Sequence, residues 1–409
     1  MSTTWLASPS CASCWAVSSM VEKQNTPEIR FEGFTDPWEQ RKFLDVVDVC
    51  SGKDYKHLKE GSIPVYGTGG FMTSVDEALS HDRDAVGIGR KGTIDKPYLL
   101  KAPFWTVDTL FYAIPKSDID LEFVHCSFLN VDWKSKDEST GLPSLSKEAI
   151  NETIALVPSF NEQSQLGEFF NNLDTLITLH QRKHEKLCTV KKSMLDKMFP
   201  KPGETEPEIR FEGFTDPWEQ RKLGELLLFQ NGFNGSSESF GSGIPLISVM
   251  DVLDDEFITH ETVRGKARLN YEEASRYCVE YGDVLFQRSS ENQEDAGTSN
   301  VYLDQHVPSA FGGFVIRGKK VDEYNPIFIK YLLGSSLIRE QITHRAQGAQ
   351  HINVSQDTLA DVVLLMPSMR EQEAVGLVFL HLANLITLHQ RKLDLLKNMK
   401  KSLLDKMFV

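Results

Sequence analysis

The sequence predicts an α+β fold with two small α/β domains, each followed by a long helix. Three observations predict it. The sixteen residues PEIRFEGFTDPWEQRK that begin at Pro27 begin again at Pro207. The segment LITLHQRK at 176–183 recurs at 385–392, and KKSMLDKMF at 191–199 returns as KKSLLDKMF at 400–408. The two middles share an order of β-rich runs and Gly, Pro and Asp breaks, but not their residues. Each half therefore has a shared head, a divergent middle and a shared tail.

The shared tails are predicted to be helices that pair with each other. Apolar residues recur every third or fourth position from Leu166 to Met198, and in the same phase from Val375 to Met407. So narrow a stripe is best buried against another like it, and a helix from 166 to 199 is about 50 Å long. Ordinary core packing is the alternative. The polar residues inside the stripes, His180, His184 and His389, are interpreted as setting the register rather than binding a metal.

The repeated head carries a helix-start signal. Asp36 is placed as N-cap, Pro37 at the first helical position and Glu39 at the third, and the same letters recur at 216–219. A short helix or turn is expected to begin there. The nearby aromatic residues predict an apolar segment that docks on another part of the chain: Phe31, Phe34 and Trp38.

Length and composition are those of a soluble globular protein. A chain of 409 residues with 40% hydrophobic and 25% charged residues is long enough for two to four domains. No apolar run is long enough to span a membrane. Six cysteines are too few for a disulfide framework, and the Cys11/Cys14 pair lacks a second pair at zinc spacing, so the cytosol is the expected compartment. Residues 1–26 are interpreted as a leader, and the true start is either Met1 or Met20.

Charge alone argues against a nucleic-acid partner. The formal net charge is −14, whereas nucleic-acid binding usually leaves a basic footprint. The two tails are nevertheless basic, with seven Lys/Arg against two Asp/Glu over 181–201 and six against two over 390–409. Positive charge is thus concentrated at the helix ends.

No catalytic motif is found in the sequence. GIGRKG matches GxGxxG through Gly87, Gly89 and Gly92, but Pro97 and the β-branched residues near it exclude the helix that a dinucleotide site requires. A P-loop, HExxH and GxSxG are absent from the printed sequence. We therefore predict no catalytic residues, no metal ligands and no cofactor.

Several longer segments together resemble the DNA-specificity subunit of bacterial type I restriction-modification enzymes. They are the two FEGFTDPWEQRK heads, the block GIGRKGTIDKPYLLKAPFWTVDTLFYAI, the approaches TGLPSLSKEAINETIALVPSFNEQ and GAQHINVSQDTLADVVLLMPSMREQ, and the LITLHQRK helices. The resemblance covers nearly everything from Pro27 to Val409. Asp95 stands where a glycine is expected in this family, which bears on the conformation of that loop.

The resemblance implies two target-recognition domains in a pseudo-two-fold arrangement, joined by an antiparallel coiled coil. Each domain would read half of a bipartite, asymmetric double-stranded DNA site. Two methyltransferase subunits would dock on the repeated parts, restriction and translocase subunits could join them, and the chain itself would be no enzyme. The predicted boundaries are 27–157 and 207–366 for the recognition domains, 158–201 and 367–409 for the helices, and 202–206 for a linker.

DNA-contacting residues are predicted on the loops of both domains. Phosphate contacts need Lys, Arg and backbone amides, whereas base reading favours Arg, Asn and Gln. The candidates in the first domain are Tyr66, Thr68, Arg90, Lys91, Thr93 and Lys101. The candidates in the second are Arg288, Asn292, Gln293, Arg345, Gln347, Gln350 and His351.

The sequence is also compatible with a protein of another class. Two small domains on a coiled coil could instead form an adaptor that gathers protein partners and does not bind DNA. The acidic net charge favours this reading. Salt-dependent DNA binding separates the two hypotheses.

Overall fold

The fold was analysed in a computed structural model that describes residues 25–305, 307–348 and 351–408. The chain divides into two compact units. Unit 1 contains the residues up to Gln181 together with Arg391–Val409, and unit 2 contains Arg182–Gln390. Each unit therefore includes one end of each long helix. Of the leader predicted at 1–26, residues 1–24 lie outside the described part.

The elements of unit 1 alternate short strands with short helices until the first long helix. The strands are β1 (Glu39–Lys42), β2 (Val47–Ser51), β3 (Glu60–Gly67), β4 (Gly70–Val75), β5 (Ala85–Gly89), β6 (Tyr98–Leu100), β7 (Trp105–Thr106), β8 (Leu110–Pro115) and β9 (Ile154–Val157). The helices are α1 (Phe43–Val46), α2 (Leu121–Leu129), α3 (Lys147–Glu152) and α4 (Phe160–Lys197), with a 3-10 turn at Trp133–Lys136.

Unit 2 repeats this order with additions. Its strands are β10 (Glu219–Lys222), β11 (Leu227–Asn231), β12 (Phe240–Ile247), β13 (Gly265–Ala267), β14 (Val284–Gln287), β15 (Ser289–Ser290), β16 (Ser299–Val301), β17 (Ala310–Phe311), β18 (Val315–Lys320), β19 (Ile352–Asn353) and β20 (Val363–Met366). Its helices are α5 (Leu223–Leu226), α6 (Val249–Val252), α7 (Tyr271–Tyr277), α8 (Pro326–Leu333), α9 (Ser336–Arg345), α10 (Gln356–Ala360) and α11 (Met369–Met407), with a 3-10 turn at Ser237–Ser239.

The sheets of the two units have matching topology. The four-stranded sheet has the order β2-β8-β5-β6 in unit 1 and β11-β18-β14-β16 in unit 2, and all its pairs are antiparallel. The three-stranded sheet is β4-β3-β7 in unit 1 and β13-β12-β17 in unit 2, each with one parallel pair. The predicted α+β class is therefore observed, on a scaffold that both divergent middles share.

The helix start predicted in the repeated head is wrong. Glu39–Lys42 is a strand that pairs antiparallel with Ile154–Val157, and Glu219–Lys222 pairs in the same way with Val363–Met366. The capping signal is local, whereas the ladder is formed with residues more than a hundred positions away, and this tertiary pairing prevails. The tryptophan before each strand is buried.

Each head is anchored on the first turns of a long helix by a buried carboxylate. In unit 1, Arg30 donates to both oxygens of Glu162 at 2.6 and 2.8 Å, and Trp38 Nε1 donates to the same carboxylate at 3.3 Å. Unit 2 repeats this geometry with Arg210, Trp218 and Glu371. The expected docking of the aromatic entry segment is thus observed for Trp38, and Phe31 packs on Phe169.

The head also contacts the last turn of the other long helix. The backbone N–H of Ile29 donates to the carbonyl of Lys406 at 3.0 Å in unit 1, and Ile209 donates to Lys197 at 2.8 Å in unit 2. These carbonyls belong to a helix C-terminus, where intrahelical donors are lacking. The identical heads therefore join the start of one long helix to the end of the other.

Within each unit the two helix segments run antiparallel. In unit 1, Lys400 Nζ contacts Asp174 Oδ1 at 2.6 Å, and Phe408 lies 5.9 Å from Phe170 between ring centroids. In unit 2, Phe199 stacks on Phe379 at 5.6 Å. Phe170 and Phe379 belong to the predicted apolar stripe, whereas Phe408 and Phe199 directly follow its last positions, and all four phenylalanines belong to the main cores of their units.

Candidate nucleic-acid interface

Both units present an arginine at the same end of the central sheet. In unit 1, Arg90 follows β5; its backbone N–H donates to the carbonyl of Thr109 at 2.8 Å and its Nη1 to that of Asp108 at 3.2 Å. In unit 2, Arg288 follows β14 and makes the same two bonds, to Phe314 at 3.0 Å and to Gly313 at 3.4 Å. The two arginines are structural equivalents, and both are exposed.

A short capped helix forms the other wall beside each arginine. Ser146 caps α3 by accepting from Ala149 N at 3.0 Å, and Ser355 caps α10 by accepting from Thr358 N at 3.0 Å. The residue before each serine donates its N–H at 3.0 Å to the carbonyl of the arginine in the same unit. A polar cleft lies between the arginine and the cap in both units.

The cleft of unit 1 has a volume of about 380 Å³. It is lined by Ser51, Arg90, Lys91, Phe111, Glu138, Ser144, Leu145, Ser146, Lys147 and Glu148. The cleft of unit 2 has a volume of about 510 Å³. It is lined by Asn231, Arg288, Ile316, Arg345, Gln347, Asn353, Val354, Ser355, Gln356 and Thr358. Five of the predicted residues lie in these clefts: Arg90, Lys91, Arg288, Arg345 and Gln347.

The two clefts share a scaffold but differ in chemistry. Unit 1 combines one arginine and two lysines with two glutamates and three serines. Unit 2 combines two arginines with four amide side chains, and no carboxylate is among its lining residues. Arginine and the amides form paired hydrogen bonds with purine edges, whereas glutamate accepts from cytosine. The two clefts therefore present different sets of hydrogen-bond donors and acceptors on the same scaffold.

The remaining candidates of unit 1 lie on two neighbouring loops. Tyr66 and Thr68 lie at the β3–β4 hairpin, and the carbonyl of Tyr66 accepts from Val107 N at 3.0 Å, which joins the hairpin to the turn that holds Arg90. Thr93 is half-buried in the loop after Lys91. Lys101 is paired with Asp84 at 2.9 Å and is not a cleft residue.

The remaining candidates of unit 2 are held by local hydrogen bonds. Asn292 Nδ2 donates to Asp295 Oδ2 at 2.7 Å, and Gln293 Nε2 donates to the carbonyl of Thr343 at 2.5 Å, so both amides fasten the loop that carries them. The carbonyl of His351 accepts from Asn353 Nδ2 at 3.0 Å beside the cleft. Gln350 lies outside the described residues.

Sequence reasoning missed most of each cleft, since it named two of the ten lining residues in unit 1 and three of the ten in unit 2. In unit 2, Asn231, Asn353 and Gln356 were not predicted; in unit 1, Ser51, Ser144 and Lys147 were not predicted. Ser51 corresponds to Asn231 at an offset of 180 residues. Ser144 corresponds to Asn353, and Lys147 to Gln356, at an offset of 209 residues. Extending the two offsets inward from the repeats would have found them.

Two carboxylates of unit 1 outside the cleft lining have a lowered pKa. The ammonium of Lys134, 2.7 Å from Asp95, lowers the pKa of that carboxyl. Burial would raise the pKa of Asp84, but the N–H of Ala102 and the ammonium of Lys101 outweigh it and lower the pKa. Asp95, which replaces the expected glycine, thus ties its loop to the 3-10 turn Trp133–Lys136.

Comparison with known proteins agrees with this geometry. Residues 35–189 match the family model of the type I restriction modification DNA specificity domain. The type I restriction enzyme MjaVIII specificity subunit of Methanocaldococcus jannaschii is 21% identical over 280 residues, which cover 66% of this chain and 65% of that protein. The aligned part thus spans just under two thirds of that relative.

Two solved structures have the same fold. The type I restriction-modification system S subunit from M. genitalium aligns with a TM-score of 0.61 at 14% identity, over 94% of this chain and 99% of that one. A chain from a study of complex assembly and conformational transition of the type I R-M system aligns with a TM-score of 0.50 at 14% identity, over 91% and 98%.

The first unit accordingly carries a DNA specificity domain. The similarity of the chain to type I restriction-modification specificity subunits confirms the resemblance drawn from its sequence. The matched domain and the curated relative are both named for specificity, in agreement with the prediction that the chain is not itself an enzyme. Among the residues that the structure describes, no helix is both long and apolar enough to cross a membrane.

Proposed function

We propose that this chain is the sequence-specific subunit that reads a bipartite, asymmetric site in double-stranded DNA, one half-site with each unit. One observation carries the proposal. The two clefts are built on the same hydrogen bonds around Arg90 and Arg288, yet their other polar side chains differ. A common scaffold with different donors and acceptors suits the reading of two different sequences. The recognition domains would span 27–157 and 207–366.

The acidic net charge does not oppose this role. The lining of the unit 2 cleft includes two arginines and no carboxylate, and in unit 1 three basic residues outnumber two glutamates. Local charge, rather than the sum of −14 over the whole chain, decides how a surface meets phosphates. The remaining acidic residues would lie away from the DNA.

The repeated tails would dock two copies of a methyltransferase subunit. The LITLHQRK repeats leave two leucines exposed in unit 1, Leu176 at 43% and Leu179 at 57%. The equivalent Leu385 and Leu388 in unit 2 are 43% and 46% exposed. Identical exposed apolar residues in both units fit two identical partners. Restriction and translocase subunits would join such a complex, which would act on DNA in the cytoplasm.

The long helices are proposed to pair as an antiparallel coiled coil, over 158–201 and 367–409. This arrangement would place the recognition domains about a pseudo-two-fold axis. A helix of about 50 Å corresponds to about fifteen base pairs, so a spacer of unread bases should separate the half-sites.

Methylation sequencing tests the proposal directly. The chain is expressed with its methyltransferase in a host without other adenine methyltransferases, and the methyltransferase is also expressed alone. A split motif that requires both proteins is expected. Arg90→Ala should relax one half of the motif and Arg288→Ala the other, each by about 1–3 kcal/mol of discrimination. A palindromic or continuous motif would contradict the bipartite reading.

The adaptor hypothesis and the DNA-reading hypothesis predict different DNA binding as the salt concentration changes. For a DNA-reading subunit the affinity falls steeply as salt rises, because phosphate contacts release counterions. An adaptor would show no DNA binding at low salt, with the methyltransferase or without it. Measuring binding to the motif duplex at several salt concentrations, with and without that partner, separates the two.

A further inference from the structure

Phe314 is an exposed aromatic side chain whose backbone is hydrogen-bonded to Arg288, a residue that lines the unit 2 cleft. It is 71% exposed, more than any other phenylalanine in the part of the chain that the structure describes. It ends the turn Gly312–Phe314 between β17 and β18. A single exposed apolar side chain is ordinary on a protein surface, so the meaning of Phe314 depends on its backbone and its neighbours.

The backbone beneath this ring is fixed on several sides. Gly312 N donates to the carbonyl of Ile247 at 2.9 Å, and Val315 N donates to that of Gly312 at 2.9 Å. The carbonyl of Phe314 itself accepts from Arg288 N at 3.0 Å. The backbone that carries the ring is therefore held in place, and the carbonyl of the preceding Gly313 accepts from Arg288 Nη1 at 3.4 Å.

Unit 1 forms the same turn without an aromatic residue. Leu110 N donates to Val107 at 3.0 Å, as Val315 does to Gly312, and Arg90 N donates to Thr109 at 2.8 Å. Thr109 thus occupies the place of Phe314. The fold of the turn does not need the ring, because threonine supports the same hydrogen bonds.

The location of Phe314 favours DNA over a protein as its partner. Two identical protein partners would meet the same residue in both units, but unit 1 has threonine there. The lining of the adjacent cleft holds Arg288 and Arg345 and no carboxylate, which suits a polyanion. Apolar side chains flanked by basic residues are used elsewhere as wedges that enter between base pairs.

We propose that Phe314 inserts between two base pairs of the half-site read by unit 2 and partly unstacks them, while Arg288 contacts the adjoining bases or phosphates. This inference rests on the proposed DNA-reading function. The half-site read by unit 1 lacks this distortion, because Thr109 cannot act as a wedge. The deformability of the step at Phe314 then contributes to specificity in one half of the site only.

The test uses the full-length chain bound to its methyltransferase and duplexes that contain the motif found by methylation sequencing. The fluorescent base 2-aminopurine replaces one base at a time in each half-site, outside the base that is methylated. Binding of the wild-type chain should raise the fluorescence at one step of the unit 2 half-site. Phe314→Thr should abolish this rise and weaken binding about tenfold, because an aromatic–base stacking contact is lost.

Two further variants serve as matched controls. Phe314→Trp should keep the fluorescence rise, because it keeps an aromatic wedge. Leu228→Thr removes another exposed apolar residue of unit 2, which is 64% exposed and does not line the cleft, and should leave the signal and affinity unchanged.

The outcomes distinguish the inference from the function on which it rests. Tight binding by the wild-type chain without a rise that depends on Phe314 overturns the wedge and leaves the DNA-reading function intact. Loss of the methyltransferase from the Phe314→Thr complex, with the fluorescence signal unchanged, assigns the ring to a protein contact and also overturns the wedge. Failure of the wild-type complex to bind the motif contradicts the proposed function itself.

Discussion

Arg210 and Glu371 form a two-pronged ion pair, with Nε at 2.7 Å from Oε1 and Nη2 at 2.9 Å from Oε2. Glu371 is almost fully buried, with only 2% of its side chain accessible. Arg30 and Glu162 repeat the pair in unit 1. In each unit, therefore, the same arginine–glutamate ion pair joins the repeated head to the start of a long helix.

Removing one carboxylate should destabilise the unit that contains it. Glu371→Gln leaves the guanidinium of Arg210 without its charged partner in a largely buried site, and we expect a loss of about 3 kcal/mol in the free energy of unfolding of unit 2. Glu162→Gln is the matched variant for unit 1. Hydrogen exchange of β10 and β1 reports the two units separately. Equal acceleration in both units after a single substitution would contradict this assignment.

Gly167 and Gly376 should respond differently to alanine. Each lies on a long helix where α2 or α8 approaches it. A Cβ on Gly167 would lie 2.5 Å from Asp120 Oδ1 and 2.9 Å from Glu122 Cβ, whereas a Cβ on Gly376 would meet its nearest atoms at 3.2 Å. Alanine gains about 1 kcal/mol over glycine in helix propensity.

Gly376→Ala should therefore be near neutral, and Gly167→Ala should destabilise by about 1–3 kcal/mol because the clash exceeds that gain. Urea unfolding of the two variants, followed by hydrogen exchange of α8 and α2, checks the difference. The prediction fails if Gly376→Ala is the more damaging of the two.

The two units should depend on pH in different windows. Burial lowers the pKa of His125 from 6.5 to about 4, and the charge of Lys400 lowers it further. Burial lowers the pKa of Lys330 from 10.5 to about 7, and Lys191 adds to this. In both cases the unfolded state binds a proton that the folded state disfavours. The free energy of unfolding therefore rises with pH between the folded-state pKa and the unfolded-state pKa of each group.

Unit 1 should lose stability as the pH falls from about 6.5 toward 4, and unit 2 as it falls from about 10 toward 7, at up to about 1.4 kcal/mol per pH unit for each group. His125→Gln and Lys330→Met should flatten the respective profile. Unfolding free energies measured across both ranges, with each variant subtracted from the wild type, isolate the single group. An unchanged slope in either variant would exclude that group as the cause.

Gln347 should affect recognition of one base pair. It lines the unit 2 cleft, and its backbone is fixed by two hydrogen bonds with Asn353, of 3.1 and 2.8 Å. Gln347→Ala should relax the preference at a single position of one half-site by about 1–3 kcal/mol and leave the other half-site unchanged. Glu138 lines the unit 1 cleft, and Glu138→Ala serves as the reciprocal variant. Methylation sequencing of both variants gives the result.

The long helices could be predicted from the sequence because their apolar residues recur at helical spacing over the whole length of each helix. The conformation after Asp36 could not be predicted in this way. Glu39–Lys42 forms a strand because it pairs with Ile154–Val157, which lies far along the chain. Most lining residues of the clefts were not predicted, for the same reason. Arg90 and Lys91 stand in a Gly-rich loop that is visible locally, but Ser144 joins them only through a bridge to Lys91.

The interleaving of the two units also orders their synthesis. Unit 2 is built from one continuous stretch, Arg182–Gln390, whereas unit 1 needs residues after Arg391 to complete its core. Phe408, packed against Trp38, Phe123 and Phe170, is translated only after the whole of unit 2. The unit whose first residues are translated first is therefore completed last, and a chain that stops before Arg391 holds all of unit 2 but leaves the core of unit 1 open.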